Sequence, residues 1–145
     1  MLSRDSAKTL LRSGAGVLTL FVATAAGAEG PELSYTLNCM GCHQSDGAGV
    51  PGKVPELKKR MGLFLQVPGG REYLVQVPGT AQSSLDDSEV AGVLNWMLRE
   101  FSPDEMPADF NPYTEAEVAR IRTPLVYVSP TRKRLLAAIE RLERD

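Results

Sequence analysis

Both cysteines and the only histidine of this 145-residue chain fall within five consecutive residues, Cys39-Met-Gly-Cys42-His43. Any fold it adopts must therefore present three soft metal ligands on one turn. If the pentapeptide is helical, Cys42 stands at i+3 and His43 at i+4 from Cys39, so two sulfurs and an imidazole share one side. That grouping suits a flat macrocycle. Two thiols can add to two vinyl groups on one edge of a haem while the imidazole reaches the iron, the pattern by which C-x-x-C-H marks covalent c-type haem attachment. A tetrahedral zinc site is poorly served, because it takes four ligands and no further thiol or imidazole exists. A thioredoxin-like redox pair requires a βαβ context. A plain disulfide across so short a loop stabilises little.

The N-terminus bears on where this chemistry takes place. Residues 1–28 read as a secretory signal: Arg4, Lys8 and Arg12 form a basic start, GAGVLTLFVATAA is apolar, and Ala26-Gly27-Ala28 offers a small-x-small cleavage site. The apolar run from Gly14 to Ala28 is shorter than the roughly 20 residues of a spanning helix, and no later stretch is long or apolar enough, so no stable membrane span is expected after cleavage. Loss of Arg4, Lys8, Arg12 and Asp5 takes the formal charge from −2 to −4, which disfavours nucleic acid as a partner. Export implies an oxidising compartment, expected to be the periplasm, where two neighbouring thiols join or are captured by another group. The remaining 117 residues can bury one modest core, and a large cofactor would enlarge it.

The periodicity predicts an all-α fold. Pro31 at a first helical position, with Leu33, Leu37 and Met40 at helical spacing, opens a short helix running into the pentapeptide. QSDGAGVPGKVP follows as a loop; its Gly47-x-Gly49-x-x-Gly52 spacing is no dinucleotide fingerprint, since no strand precedes it and Pro51 interrupts it. A second short helix is expected from Glu56 to about Gln66, and Tyr73 to Val77 reads as a short helix or an extended piece. Val90, Val93, Leu94, Met97, Leu98 and Phe101 form one buried stripe on a helix from about Asp87 to Phe101, capped by Asp86 or Asp87. Thr114-Glu-Ala-Glu117 is a capping box opening a helix with Val118 and Ile121 inward. Ser129-Pro130 begins a last amphipathic helix with the stripe Leu135, Ile139, Leu142. No repeat and no convincing pair of strands interrupts this pattern. The organisation expected is a signal peptide at 1–28, a haem domain at 29–123 and a helical extension at 124–145.

Cys39-Met-Gly-Cys42-His43, the loop after it and Pro55-Glu-Leu57 together resemble the class I cytochromes c, small single-haem electron carriers, over roughly Leu33 to Ile121. The resemblance implies a helical domain wrapped around one covalent haem c, here with an extra C-terminal helix. It implies that Cys39 and Cys42 bind the porphyrin and that His43 is the proximal iron ligand. It also implies that the Pro55 carbonyl orients His43 through the second ring nitrogen, a bond that fixes the tautomer and strengthens the ligand. Within the family the chain looks most like periplasmic cytochromes that accept electrons from a dehydrogenase and pass them to a terminal oxidase or another cytochrome. It is then a carrier rather than an enzyme.

A carrier of this class normally has a methionine as its sixth ligand. Met106-Pro-Ala-Asp-Phe looks like the family's Met-Pro loop leading into a capped helix, which makes Met106 the provisional distal ligand. The segment from Val77-Pro-Gly to Val90 also resembles that loop and helix, with Val77 at the methionine position; on that match Met97, Met61 or no protein ligand completes the site. Ligand identity matters, because a thioether raises the potential and keeps iron six-coordinate, whereas an open position admits a small ligand or peroxide. A five-coordinate haem peroxidase or gas sensor, and a haem subunit fixed to a dehydrogenase, are the alternatives. Arg71 and Tyr73 are candidate donors to haem propionates. Lys58-Lys59-Arg60 is a candidate docking patch for an acidic partner or simply a solvated face. Trp96 takes no assigned role. No nucleophile with a neighbouring base is found.

Overall fold

A computed structural model describes residues 30–144, so the segment read as a signal peptide lies outside the described residues. The described chain is helical: α1 (Pro31–Asn38), α2 (Met40–His43), α3 (Met61–Phe64), α4 (Gly70–Gln76), α5 (Pro78–Ala81), α6 (Asp87–Phe101), α7 (Glu115–Ile121) and α8 (Val128–Leu142). Among the described residues there is no strand, only an isolated bridge between Val50 and Val54.

Helix α6 is the organising element, and its sequence explains why. Asp86 accepts from the Glu89 amide while the Glu89 side chain accepts from the Asp86 amide, each at 2.8 Å, so the helix starts on a complete capping box. Its apolar stripe is then fully used, with Val90, Val93, Leu94, Met97, Leu98 and Phe101 all buried. Each such Val or Leu contributes about 1.5–3 kcal/mol on burial. α1 packs across α6 and α7 packs beside it, while α3 and α4 carry α8. Tyr35 of α1 fixes the crossing, lying 5.2 Å from the Trp96 ring and 5.1 Å from the Phe101 ring. Aromatic pairs at such distances add about 0.5–1.5 kcal/mol beyond burial.

Several elements differ from the sequence reading in informative ways. The helix expected over 56–66 is the single turn α3, because Lys59 adopts φ +55° and the preceding residues form a turn. The Tyr73 run is helical, as α4, following Gly69 at φ +82°. In α1 the inward residues are Ser34 and Tyr35, while Leu33 and Leu37 are exposed. α8 packs back on the molecule through Leu135 and Ile139, each 2% exposed, and its stripe ends there, with Leu142 at 49%.

The segment beyond α6 is stitched to the rest by hydrogen bonds as well as packing. The Asn95 side chain donates to the Tyr113 carbonyl at 2.9 Å and accepts from its amide at 2.8 Å. Gln76 donates to the Ile121 carbonyl at 3.2 Å, and the Leu125 amide returns to the Gln76 carbonyl at 3.0 Å. No helix among the described residues is long and apolar enough to cross a membrane.

Candidate functional site

The attachment turn is built by a break between two helices. α1 ends at Cys39, whose φ of −125° departs from helical geometry, and α2 resumes at Met40. Continuity survives because the Cys39 amide donates to the Tyr35 carbonyl at 2.8 Å and the His43 amide to the Cys39 carbonyl at 3.0 Å. Gln44 then stops the turn with φ +67°, and its carbonyl accepts from the Tyr35 hydroxyl at 2.5 Å. Tyr35 thus ties the end of the pentapeptide to the α1–α6 crossing. Burial pushes the Tyr35 phenol up to about 12, which keeps it a donor at any ordinary pH.

Both cysteines are free thiols, Cys39 half-buried and Cys42 exposed. Burial pushes the Cys39 thiol above its ordinary range. His43 Nδ1 lies 3.0 Å from the Pro55 carbonyl oxygen. A carbonyl can only accept, so Nδ1 carries the hydrogen and Nε2 is left with a free lone pair. Burial lowers the His43 pKa, with the Pro55 bond opposing it, a direction that favours the neutral ring a metal requires. Two unjoined thiols on one turn beside a neutral imidazole with Nε2 free fit a covalent haem with His43 as ligand.

The loop from Gln44 to Leu57 exists to deliver that carbonyl. Gly49 has φ +65°, and its amide donates to the His43 carbonyl at 3.0 Å. A Cβ there would sit 2.5 Å from the Val54 oxygen and 2.6 Å from the Pro55 oxygen. The amides of Leu57 and Lys58 both reach the Gly47 carbonyl, at 2.8 and 3.2 Å. The Phe101 ring lies against the backbone of Gly47.

The hydrogen bonds bring Cys39, Cys42, His43 and Pro55 into one unit and tie Arg71 and Met106 into two others. Arg71 makes a two-pronged pair with Glu117, at 2.6 and 2.7 Å, and donates to the Asn111 carbonyl at 2.8 Å. Its guanidinium stands 4.0 Å over the Tyr113 ring, and the Tyr113 hydroxyl donates to the Arg71 carbonyl at 2.9 Å. Arg71 therefore joins α4 to α7. Tyr73 is buried and stacks on Phe64, 5.2 Å between centroids. Met106 is half-buried on the turn after α6, where the Glu105 carbonyl accepts from Gln66 at 2.7 Å. Met61 and Met97 lie in the core at 3% and 6% exposure. In the basic cluster Lys58 pairs with Asp46 at 3.8 Å and Arg60 with Glu143 at 4.0 Å. Trp96 belongs to the Tyr35 and Phe101 cluster.

The Arg71 pair yields a pH-dependent prediction. Its hydrogen bonds hold the Glu117 carboxyl below the usual carboxylate range, against the opposing effect of burial. The pair therefore contributes stability that is present above the ordinary value of about 4.3 and is lost as pH falls through the depressed folded value. Glu117→Gln is expected to cost about 1–3 kcal/mol in urea unfolding at neutral pH. The gap from wild type should narrow progressively below about pH 4, since both then lack the charge. A gap constant from neutral to strongly acid pH would refute the charge pairing.

Arg122 carries an arrangement that the sequence reading did not find. It donates to three backbone carbonyls of the connection between α4 and α6: Ala81 at 3.2 Å, Leu85 at 2.7 Å and Ser83 at 2.8 Å. The same guanidinium reaches Ser83 Oγ at 3.1 Å and Asp87 at 3.0 Å. A lone arginine at the end of a short helix reads as solvated, and nothing in its neighbours signals the carbonyls it meets.

Comparison with known proteins agrees with the geometry. The family model Cytochrome c matches residues 27–100. The match ends within α6, so α7, α8 and Met106 lie beyond it. The chain is 32% identical over 102 residues to cytochrome c-552 of Thermus thermophilus, covering 58% of this chain and 78% of the relative. It is likewise 32% identical over 102 residues to cytochrome c-552 of Thermus thermophilus strain ATCC 27634, covering 58% of this chain and 69% of that relative. With the attachment turn, the His43–Pro55 bond and an all-helical fold in agreement, the chain belongs to the cytochrome c family, as a class I electron-transfer protein with covalently bound haem c.

Proposed function

We propose that this protein carries single electrons in the periplasm from a dehydrogenase to a terminal oxidase or another cytochrome, after export on the signal segment at 1–28. The observation that carries the site assignment is the His43 Nδ1 to Pro55 bond, made inside a turn that holds two free thiols. Cys39 and Cys42 are the thioether positions and His43 the proximal ligand. When bound, the haem supplies the ferrous and ferric couple. The chain's own part is to fix the ring: Pro55 sets the tautomer and orientation of His43, while Tyr35 anchors the end of the turn at Gln44. The exposed side of Cys42 leaves this edge approachable by a partner. Residues 29–123 read as the haem domain and 124–145 as an extension, of which α8 packs back through Leu135 and Ile139.

The experiment is expression with export in a host competent in haem attachment. The purified protein should be heavier than its processed chain by one haem, and the cofactor should resist acid extraction. Cys39→Ala/Cys42→Ala should release it to extraction. His43→Ala should remove the imidazole-ligated absorption spectrum of the reduced haem. A colourless exported protein would refute the site. Rapid mixing with a reduced dehydrogenase of the same compartment tests the partner separately, and failure to reduce the haem within the enzyme's turnover would refute that donor.

A further inference from the structure

We propose that His43 is, among the described residues, the only side chain given to the haem iron, and that the opposite coordination position takes a small exogenous ligand, of which carbon monoxide is the probe. The inference rests on the haem reading above and concerns the side of the ring that reading leaves open. Haem iron takes imidazole, thiolate, thioether or phenolate donors from a protein. The histidine and both cysteines are already placed, so the remaining donors can be followed one by one among the described residues.

Met40 stands between the two cysteines, inside the attachment turn, where a ring held by both sulfurs would lie between it and the far side. Met61 and Met97 are 3% and 6% exposed. Protein atoms alone cover nearly all of both side chains. Tyr35 and Tyr113 spend their hydroxyls on the Gln44 and Arg71 carbonyls. Tyr73 is buried against Phe64. Tyr127 is exposed at the start of α8. Lys53, Lys58, Lys59 and Lys133 are exposed, and a solvated ammonium has no lone pair to offer.

Met106 is the remaining thioether, and its backbone places it on the wrong side. A Cβ on Gly62 would come 2.8 Å from the Glu105 carbonyl carbon and 2.9 Å from the Met106 amide. Ser102 Oγ accepts from the Gly62 amide at 2.9 Å and donates to Glu105 at 2.8 Å. The Lys59 amide donates to the Phe101 carbonyl at 2.8 Å. Residues 101–106 thus run along residues 59–66, the continuation of the loop that carries Pro55. Nδ1 of His43 points to that loop, and Nε2 leaves the imidazole on roughly the opposite side. A sixth ligand must come from still farther across the ring.

The segment that does pass the attachment turn is the connection between α4 and α6. Ser84 Oγ donates to the Asn38 side chain, one residue before Cys39, at 3.2 Å. Residues 77–86 contain hydroxyls and a carboxamide but no Met, His, Cys, Lys or Tyr. Arg122 holds their backbone down through Ala81, Ser83 and Leu85, so the connection has little slack to bring anything else across.

The test uses the exported haem protein, with haem content first fixed by mass. Stoichiometric carbon monoxide added to the dithionite-reduced protein should convert the Soret band fully to that of a ferrous carbonyl adduct. Met106→Ala should show the same reduced spectrum and the same conversion. Reduced wild type that stays unchanged under carbon monoxide overturns the inference, whether or not Met106→Ala acquires binding. A methionine-to-iron charge-transfer band that vanishes in Met106→Ala overturns it as well. Absence of the haem mass would instead sink the reading of Cys39, Cys42 and His43, so the two failures are distinct.

Discussion

Arg122→Ala is expected to lower stability by about 3 kcal/mol, since hydrogen bonds to charged groups are worth about 1.5–3 kcal/mol and the released carbonyls recover only part from water. The side chain is only 13% exposed, and its five bonds all go to residues 81–87. For a chain of this size the loss corresponds to a fall of about 10 °C in Tm. Arg122→Lys should recover a minor part, because one ammonium cannot span three carbonyls in the geometry of a planar fork. Urea midpoints of the two variants and wild type check this. Equal midpoints for all three would show that the clamp is ornamental.

Gly49→Ala is expected to damage stability and the haem site together. The left-handed φ of +65° costs an alanine about 1–2 kcal/mol, and the new methyl group meets two backbone oxygens that can yield only by moving the loop. One of those oxygens is the acceptor of His43 Nδ1. Displacing it weakens the imidazole as a donor, which disfavours ferric iron and raises the reduction potential. A loss of about 3 kcal/mol is expected when strain and collision are combined. Gly52→Ala provides the control. Gly52 has φ +73° but nothing within 4 Å of the added Cβ, so it should cost only the backbone strain and leave the potential unchanged. Indistinguishable potentials in the two variants would remove the Pro55 carbonyl from the account.

These two positions mark the boundary of what the sequence discloses. The extent of α6, its Asp86 cap and its whole buried stripe follow from local pattern, because a 15-residue amphipathic helix repeats its signal several times. The turn from Cys39 to His43 was legible for a different reason: all its candidate ligands are neighbours in the chain. α3 was read as too long because the turn at Lys59 depends on its amide meeting the Phe101 carbonyl, a partner far along the chain. The pairing of Arg71 with Glu117 is invisible in one dimension, since the two stand 46 residues apart. Arg122 and the inward turn of Tyr35 have the same character. Each is a tertiary choice between residues whose local context suits a solvated surface equally well.

The meeting of Tyr35 with Trp96 and Phe101 has a temporal side. Helices α1 and α6 stand far apart along the chain, so this junction closes only at a loop-closure cost that neither helix bears alone. Until it closes, Cys39 remains solvated; afterwards burial disfavours its thiolate. A nascent polypeptide, rather than the finished globule, is thus the better reactant for porphyrin capture, and a maturation machinery that delays this junction would raise the yield of coloured product.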